Sequence, residues 1–373
     1  MDLLVGIDGN FSEWRDALRV DPNRPRLPLT YMLGAAFYQR GHRLFAVHSS
    51  NHKAEGVPAH PFKHVYPPAR LLHVMAQVDL AFFWAAQGIS ATWMQAFLKF
   101  PQRKKVVLAS YVWDLKTMPA LKRYGLGLMT QMCAYFTRAL SFITSEQCQS
   151  AERFLSGKVP VIKCPYGVDT RFYRLPSSFS DVPEAYRNDV DKLITEPYFF
   201  LPGDQQRCDQ DVLDIVAHSG LRMVRAPQGH QAAEQLRKQA GERGLSDRLF
   251  IFEKINYPFL RFLFHRAAAC AGLVDSSWQP AGWTVACESL ASGLPVVLYD
   301  GLVSRELQNR GAGKFLHIVR RGDLQTFEET LRSTMSHQQG NKFSQEARQF
   351  AERELDLESC SEHFIRQIEG LVS

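Results

Sequence analysis

One stretch carries residue types at a spacing that suits ligand chemistry: DSSWQPAGWTVACESLASGLPVVLYD, residues 275–300. A polar loop with Pro280 and Gly282 runs into a helical segment bearing Glu288, and Gly293 closes it before a Pro and a β-rich run. That order sets backbone N–H groups at a helix start and a carboxylate about two turns inside the helix, which suits a phosphorylated ligand with a ribose. The bland alternatives are a solvated Glu on a helix surface and a plain strand-to-helix connection, in which Gly and Pro are ordinary. Thiol chemistry finds less support. The cysteines at 133, 148, 164, 208, 270, 287 and 360 are odd in number, scattered and without a CxxC pair. They indicate neither a disulfide framework nor a structural zinc site, and are expected as reduced core thiols.

The elements that must position such a loop follow from the rest of the chain. At 373 residues it is long for one core and comfortable for two domains. With 45% hydrophobic and 22% charged residues it has the composition of a soluble globular protein, and no run approaches the roughly 18 apolar residues of a spanning helix. The start, MDLLVGIDGN, has the character of a first strand rather than a secretory signal, so a cytoplasmic protein is expected. DLLVGI (2–7), RLFAVHSS (43–50), VDLAFFW (78–84), KKVVLASYVW (104–113) and LSFITS (140–145) alternate with helical stretches such as LTYMLGAAFYQR (29–40). This is the pattern of a parallel, doubly wound α/β sheet. A second alternation begins at TEPYFFLPG (195–203) and continues through RMVRAP, RLFIFEK and CAGLVDSS into residues 275–300; the stretch 344–371 is strongly helical. The polar residues between, 176–196, are expected to be the linker.

Charge divides the chain unevenly. Residues 1–180 hold 22 Lys+Arg against 11 Asp+Glu, and the remainder 22 against 27. The basic half should meet something anionic, whether nucleic acid, an anionic membrane surface or a charged glycan, or present a merely solvated basic face. Residues 117–139, which follow Arg103-Lys104-Lys105, fit a membrane-surface helix and equally a buried crossover helix.

Taken together, SSWQPAGWTVACESLASGLPVV, PYGVDTRFYRLP (165–176) and TSEQCQSAERFL (144–155) resemble, in order, three segments of the large retaining glycosyltransferase family of GT-B fold, which includes sucrose synthases, mannosyltransferases and bacterial surface-glycan enzymes. The resemblance implies two Rossmann-like doubly wound domains facing across a cleft: residues 1–180 for the acceptor, 181–357 for the nucleotide sugar, and a C-terminal helix, 358–373, packing back toward the first domain. It implies that Glu288 accepts hydrogen bonds from the donor ribose. The loop Gln279, Pro280, Ala281, Gly282, Trp283 and Thr284 would present N–H groups to the donor sugar and phosphates, Gly282 permitting close approach. Arg207 and Lys254 would supply the cations at the leaving diphosphate. Gly9 would face the donor pyrophosphate, with Asp8 and Asn10 touching ligand, while Asp114 is the acidic candidate after the fourth strand and an N-cap residue otherwise. His48, near the end of the second strand, is a further acceptor-side candidate.

The chain departs from the family at one point. An acidic residue commonly stands eight positions before the second Glu, and here that position is Pro280, with Gln279 beside it. Gln279 keeps a hydrogen-bonding group without a charge. The expected function is therefore transfer of a sugar from a UDP- or GDP-sugar to an acceptor hydroxyl, with retention. No metal is required, since no DxD pair stands at a strand end. The acceptor would be a membrane-associated glycan or lipid, with peripheral membrane contact through the basic domain. The alternatives are a phage-type enzyme glycosylating a modified DNA base and a GT-B-like binding protein without catalysis.

Overall fold

A computed structural model of the chain describes residues 1–7, 37–48, 64–66, 71–85, 106–110, 124–125, 128, 131, 134, 137–164, 166–203, 207–227, 229–253, 255–277, 279–336 and 341–372. The chain forms two compact units, one of Met1–Asp169 with Leu357–Ser373 and one of Thr170–Asp356.

Unit 1 is built on seven parallel strands: β1 (Asp2–Ile7), β2 (Arg43–His48), β3 (His64–Tyr66), β4 (Leu80–Ala85), β5 (Val106–Ser110), β6 (Ala139–Phe142) and β7 (Val161–Lys163). Their order is β3-β2-β1-β4-β5-β6-β7, so the winding reverses between β1 and β4. Helix α1 (Leu71–Gln77) leads into β4, and α2 (Ser145–Leu155) follows β6. The start of α2 is a capping box, a pattern that Thr144 and Gln147 spell in the sequence. The Gln147 N–H donates to Thr144 Oγ1 at 3.2 Å and the Thr144 N–H donates to Gln147 Oε1 at 3.1 Å.

Unit 2 opens with α3 (Thr170–Arg174) and two 3₁₀ turns, then α4 (Arg187–Leu193). Its six strands are β8 (Tyr198–Pro202), β9 (Arg222–Ala226), β10 (Leu249–Ile251), β11 (Ala269–Gly272), β12 (Val296–Tyr299) and β13 (Leu316–Val319), all parallel, in the order β10-β9-β8-β11-β12-β13. The reversal falls between β8 and β11. Between strands run α5 (Asp209–Ser219), α6 (His230–Glu242), α7 (Tyr257–Arg266), α8 (Trp283–Ala291) and α9 (Leu302–Asn309), with α10 (Leu324–Ser336) and α11 (Asn341–Glu354) after β13. The central strands β8, β11 and β12 are buried on both faces, as parallel strands covered by helices must be, which is why YFFLP and VVLY are near-continuous apolar runs. On one face Phe199, Leu201 and Val297 pack with Val212 and Val216 of α5, Leu236 of α6 and Phe327 of α10. On the other, Phe200 meets Phe264 of α7 edge to face, with ring centroids 4.9 Å apart.

The expected linker is folded. Val190 and Leu193 of α4 are buried, and the Tyr186 ring lies 5.0 Å from Phe252 and 5.8 Å from Phe259. A few apolar anchors in a polar run are enough to attach it to unit 2, so the boundary stands at Thr170 rather than 181. The chain returns to unit 1 at Leu357. There α12 (Leu357–Val372) sets Phe364, Ile365 and Ile368 into one cluster with Leu3, Leu44, Leu80 and Phe82.

Candidate functional site

The site begins where the strand order of unit 2 reverses, because open α/β sheets bind ligands at the carboxyl ends of the strands at such a point. An antiparallel bridge joins Arg207 to Val274 there, and the Cys208 N–H donates to Leu273 O at 3.0 Å. The β8–α5 and β11–α8 loops are therefore tied together across the reversal. The Arg207 guanidinium turns back onto the end of β8, donating to Pro202 O from Nε at 2.9 Å and from Nη2 at 2.7 Å. Gly203 makes room for it. At φ 86° its backbone is left-handed, and a Cβ there would stand 2.6 Å from Arg207 Nη2.

Beneath this loop lies Arg225 of β9, whose side chain is 1% exposed. Its Nε donates to Asp209 Oδ1 at 2.7 Å, and its Nη1 to Leu201 O at 3.2 Å and Gly203 O at 2.7 Å. Sequence reasoning missed this residue, although a charge inside RMVRA, a run of buried strand residues, was a signal. Two acids, Asp209 and Asp211, occupy the first turn of α5. Asp211 Oδ2 accepts from the Tyr299 hydroxyl at 2.8 Å, and burial together with that bond raises the phenol well above its usual range. Burial, reinforced by Asp211 and Asp275, pushes the Cys208 thiol up to about 11, so it stays protonated at neutral pH and offers no thiolate.

The β11–α8 loop is held by packing. Asp275 pairs with Arg321 at 2.7 Å and accepts from the Ser277 N–H at 3.1 Å; Ser276 O accepts from the Leu302 N–H at 3.0 Å. Pro280 and Ala281 are buried, while Gln279 and Thr284 are partly exposed. Gly282 is the N-cap of α8 at φ 83°, and a Cβ there would stand 3.3 Å from Val274 Cγ2. The ring of Trp283 is 1% exposed beneath the Arg310 guanidinium, which lies 4.9 Å from the ring centroid, so the side chain is a packing residue. The N–H groups of the loop are not all offered outward: Ala281 donates to Gln279 O at 2.8 Å and Trp283 to Pro280 O at 3.2 Å, because the loop closes on itself in tight turns. The first turn of α8 carries no acid and no side-chain cap, unlike the acidic first turn of α5, so α8 is the helix start that suits an anion.

Glu288 sits inside α8 with only 3% of its side chain exposed. It is not a solvated helix position. The helix around it, from Ala286 to Ala291, is buried and packs against α11, α3, β11 and β12, a setting in which an ionised carboxylate needs partners.

Of the other expected residues, Asp8, Gly9, Asn10, Asp114 and Lys254 lie outside the described residues. His48 is the last residue of β2, in register with Ile7 of β1. Beside Lys254, Glu253 stands two residues beyond β10 with its carboxylate 3.0 Å from His230 Nδ1.

No protein-family model matches the chain, and no curated protein matches it. Solved structures do. HepE of Anabaena, in complex with UDP and glucose, aligns over 99% of this chain and 100% of its own at 12% identity, with a TM-score of 0.72. Sucrose-phosphate synthase from Thermosynechococcus elongatus aligns over 100% and 99% at 12% identity, with a TM-score of 0.69. A glycosyltransferase from Rickettsia africae aligns over 100% and 98% at 9% identity, with a TM-score of 0.68. At these identities the likeness is one of fold: two Rossmann-like units of the GT-B kind.

Proposed function

We propose that the chain is a glycosyltransferase that moves a hexosyl group from a nucleotide sugar, a UDP-sugar first among them, to an acceptor hydroxyl with retention. The observation that carries this is Glu288, a buried carboxylate two turns inside the helix that follows β11, whose start is free of acids. Such a carboxylate is suited to accept from both ribose hydroxyls while the helix start meets the diphosphate. The likeness to HepE in its complexes with UDP and with UDP-glucose supports the choice of donor.

In this reading the bond from the anomeric carbon to the phosphate oxygen breaks, a bond to the acceptor oxygen forms, and the acceptor proton departs. Negative charge grows on the diphosphate and positive charge on the sugar ring. Arg207 and the start of α8 are the groups that meet the first of these. Gln279 takes the place of the carboxylate that relatives by motif carry eight positions before Glu288, orienting the sugar through a hydrogen bond without contributing charge.

Calorimetric titration with UDP, UDP-glucose and GDP, with turnover followed by UDP release, tests the proposal. UDP is expected to bind, and Glu288→Ala to weaken it roughly ten- to a hundredfold, the worth of hydrogen bonds to a charged group. The same variant should lose the preference for UDP over 2′,3′-dideoxy-UDP. An unchanged preference removes Glu288 from the site; no nucleotide binding refutes the donor reading; binding without any turnover favours the binding-protein alternative.

For the acceptor side, Tyr124 and Leu128 are helical residues of unit 1 that stand 75% and 51% exposed. Their i, i+4 spacing puts two apolar side chains on one solvent face, in the half of the chain with the basic excess. That combination favours an anionic lipid surface, and a lipid-linked acceptor, over DNA. Flotation with phosphatidylglycerol vesicles is expected, and should fail with phosphatidylcholine vesicles and with Tyr124→Ser/Leu128→Ser. Retention of duplex DNA in place of vesicles would reverse the choice.

A further inference from the structure

Three successive carbonyls close β8, and each accepts from a guanidinium. Leu201 O and Gly203 O accept from Arg225, and Pro202 O from Arg207. Arg225 also grips Asp209, the first residue of α5. It therefore holds both ends of the segment in which Arg207 stands, Gly203 before it and Asp209 after it. A guanidinium suits this task because its planar fork serves acceptors in several directions at once, which an ammonium cannot do with the same geometry. The position is costly, since Arg225 is 1% exposed and a buried charge needs its partners. An apolar residue would fill the strand position without that cost.

We propose that Arg225 is a positioning residue for the anionic end of the donor. It does not touch the ligand; it fixes the β8–α5 loop so that the Arg207 guanidinium stands ready at the strand reversal. The inference rests on the donor reading above and adds to it the group that sets Arg207 in place.

The test compares the affinities of UDP and uridine, which differ only in the diphosphate, in the full-length protein. In the wild type UDP should bind more tightly. Arg225→Met should cut the UDP-to-uridine affinity ratio roughly tenfold or more, with uridine affinity kept, as expected for the loss of charge-assisted contacts to an anion. Arg225→Lys should restore little of the ratio, because one ammonium cannot hold both loop ends. Arg207→Met should lower the same ratio, and the double variant should lose no more than Arg207→Met alone, since Arg225 acts through Arg207. Equal weakening of UDP and uridine would mark Arg225 as merely structural and overturn the proposal; so would losses that multiply in the double variant. Should Arg225→Met fail to fold, Asp209→Asn, which keeps the guanidinium and frees one loop end, is expected to lower the ratio in the same sense, and an unchanged ratio there overturns the proposal. A wild type that binds uridine and UDP equally overturns both this inference and the donor reading, whereas a wild type that prefers UDP beside an unaffected Arg225→Met overturns this inference alone.

Discussion

The two units wind their sheets with the same reversal, after the first and before the fourth strand, but they join their strands differently. In unit 2 the chain passes from Pro202 to Arg222 between β8 and β9, room for one helix and two short loops. In unit 1 it passes from Ile7 to Arg43 between β1 and β2. Short βα loops are set by their own few residues and the strand ends beside them, and long ones need contacts from elsewhere. Unit 2 illustrates the first case: Leu201, Pro202 and Gly203 are held by two arginines from within the same unit. Unit 1 shows dependence of another kind, since its core is completed by Phe364, Ile365 and Ile368 from the far end of the chain.

This contrast can be broken by experiment. The largest effect should come from paired core truncations, Phe364→Ala in unit 1 and Leu236→Ala in unit 2. Phe364 lies 5.3 Å from Phe82, ring to ring, and Leu236 sits in the cluster under β8 and β9. Each should cost about 2–5 kcal/mol, the usual range for emptying a buried Leu or Phe site. Hydrogen exchange read strand by strand should show Phe364→Ala lowering protection in β1, β2 and β4 only, and Leu236→Ala in β8 to β11 only. Loss of protection throughout with either variant would mean that the units unfold as one and would remove the distinction.

A smaller effect sharpens the same contrast. Arg40, by hydrogen bonds at 2.8 and 3.1 Å, and then His42 at 2.9 Å hold the Glu369 carboxyl of α12 below the ordinary glutamate range. A depressed carboxylate contributes stability above its unfolded value and loses it as pH falls through the folded one. Unit 1 is therefore expected to lose protection as the solution is acidified from about pH 5 downward, with a slope that Glu369→Gln flattens. Unit 2 has no share in this contact, and its slope should be unchanged by the variant. The effect is modest because the pair is partly solvated.

How much could be read beforehand follows the same division. The strand and helix alternation of unit 2 is legible because each strand is a short apolar run between turn residues, and each helix repeats its apolar positions at helical spacing. Glu288 and Gly282 stand on such elements, so their surroundings follow from the pattern. The seat of the Trp283 ring does not follow from it: the ring lies beneath Arg310, a residue 27 positions later that no local pattern joins to it. Arg225 was hidden for the reverse reason, since strand periodicity says which face a residue takes but not that two carbonyls and a carboxylate await it there. The stretch 176–196 was misjudged because its polar composition outweighed Tyr186, Val190 and Leu193, the residues that anchor it.

The return of α12 to unit 1 has a consequence for synthesis. As the chain leaves the ribosome, the described strands of unit 1 emerge before any part of unit 2, yet the helix that covers Leu3, Leu80 and Phe82 is made after the whole of unit 2. Unit 2 holds all its elements in one continuous span, Thr170–Asp356, and can close as soon as that span is out. Unit 1 must wait with an apolar face uncovered, which is the interval in which a nascent sheet is most exposed to wrong partners. The unit begun before its neighbour is thus completed after it.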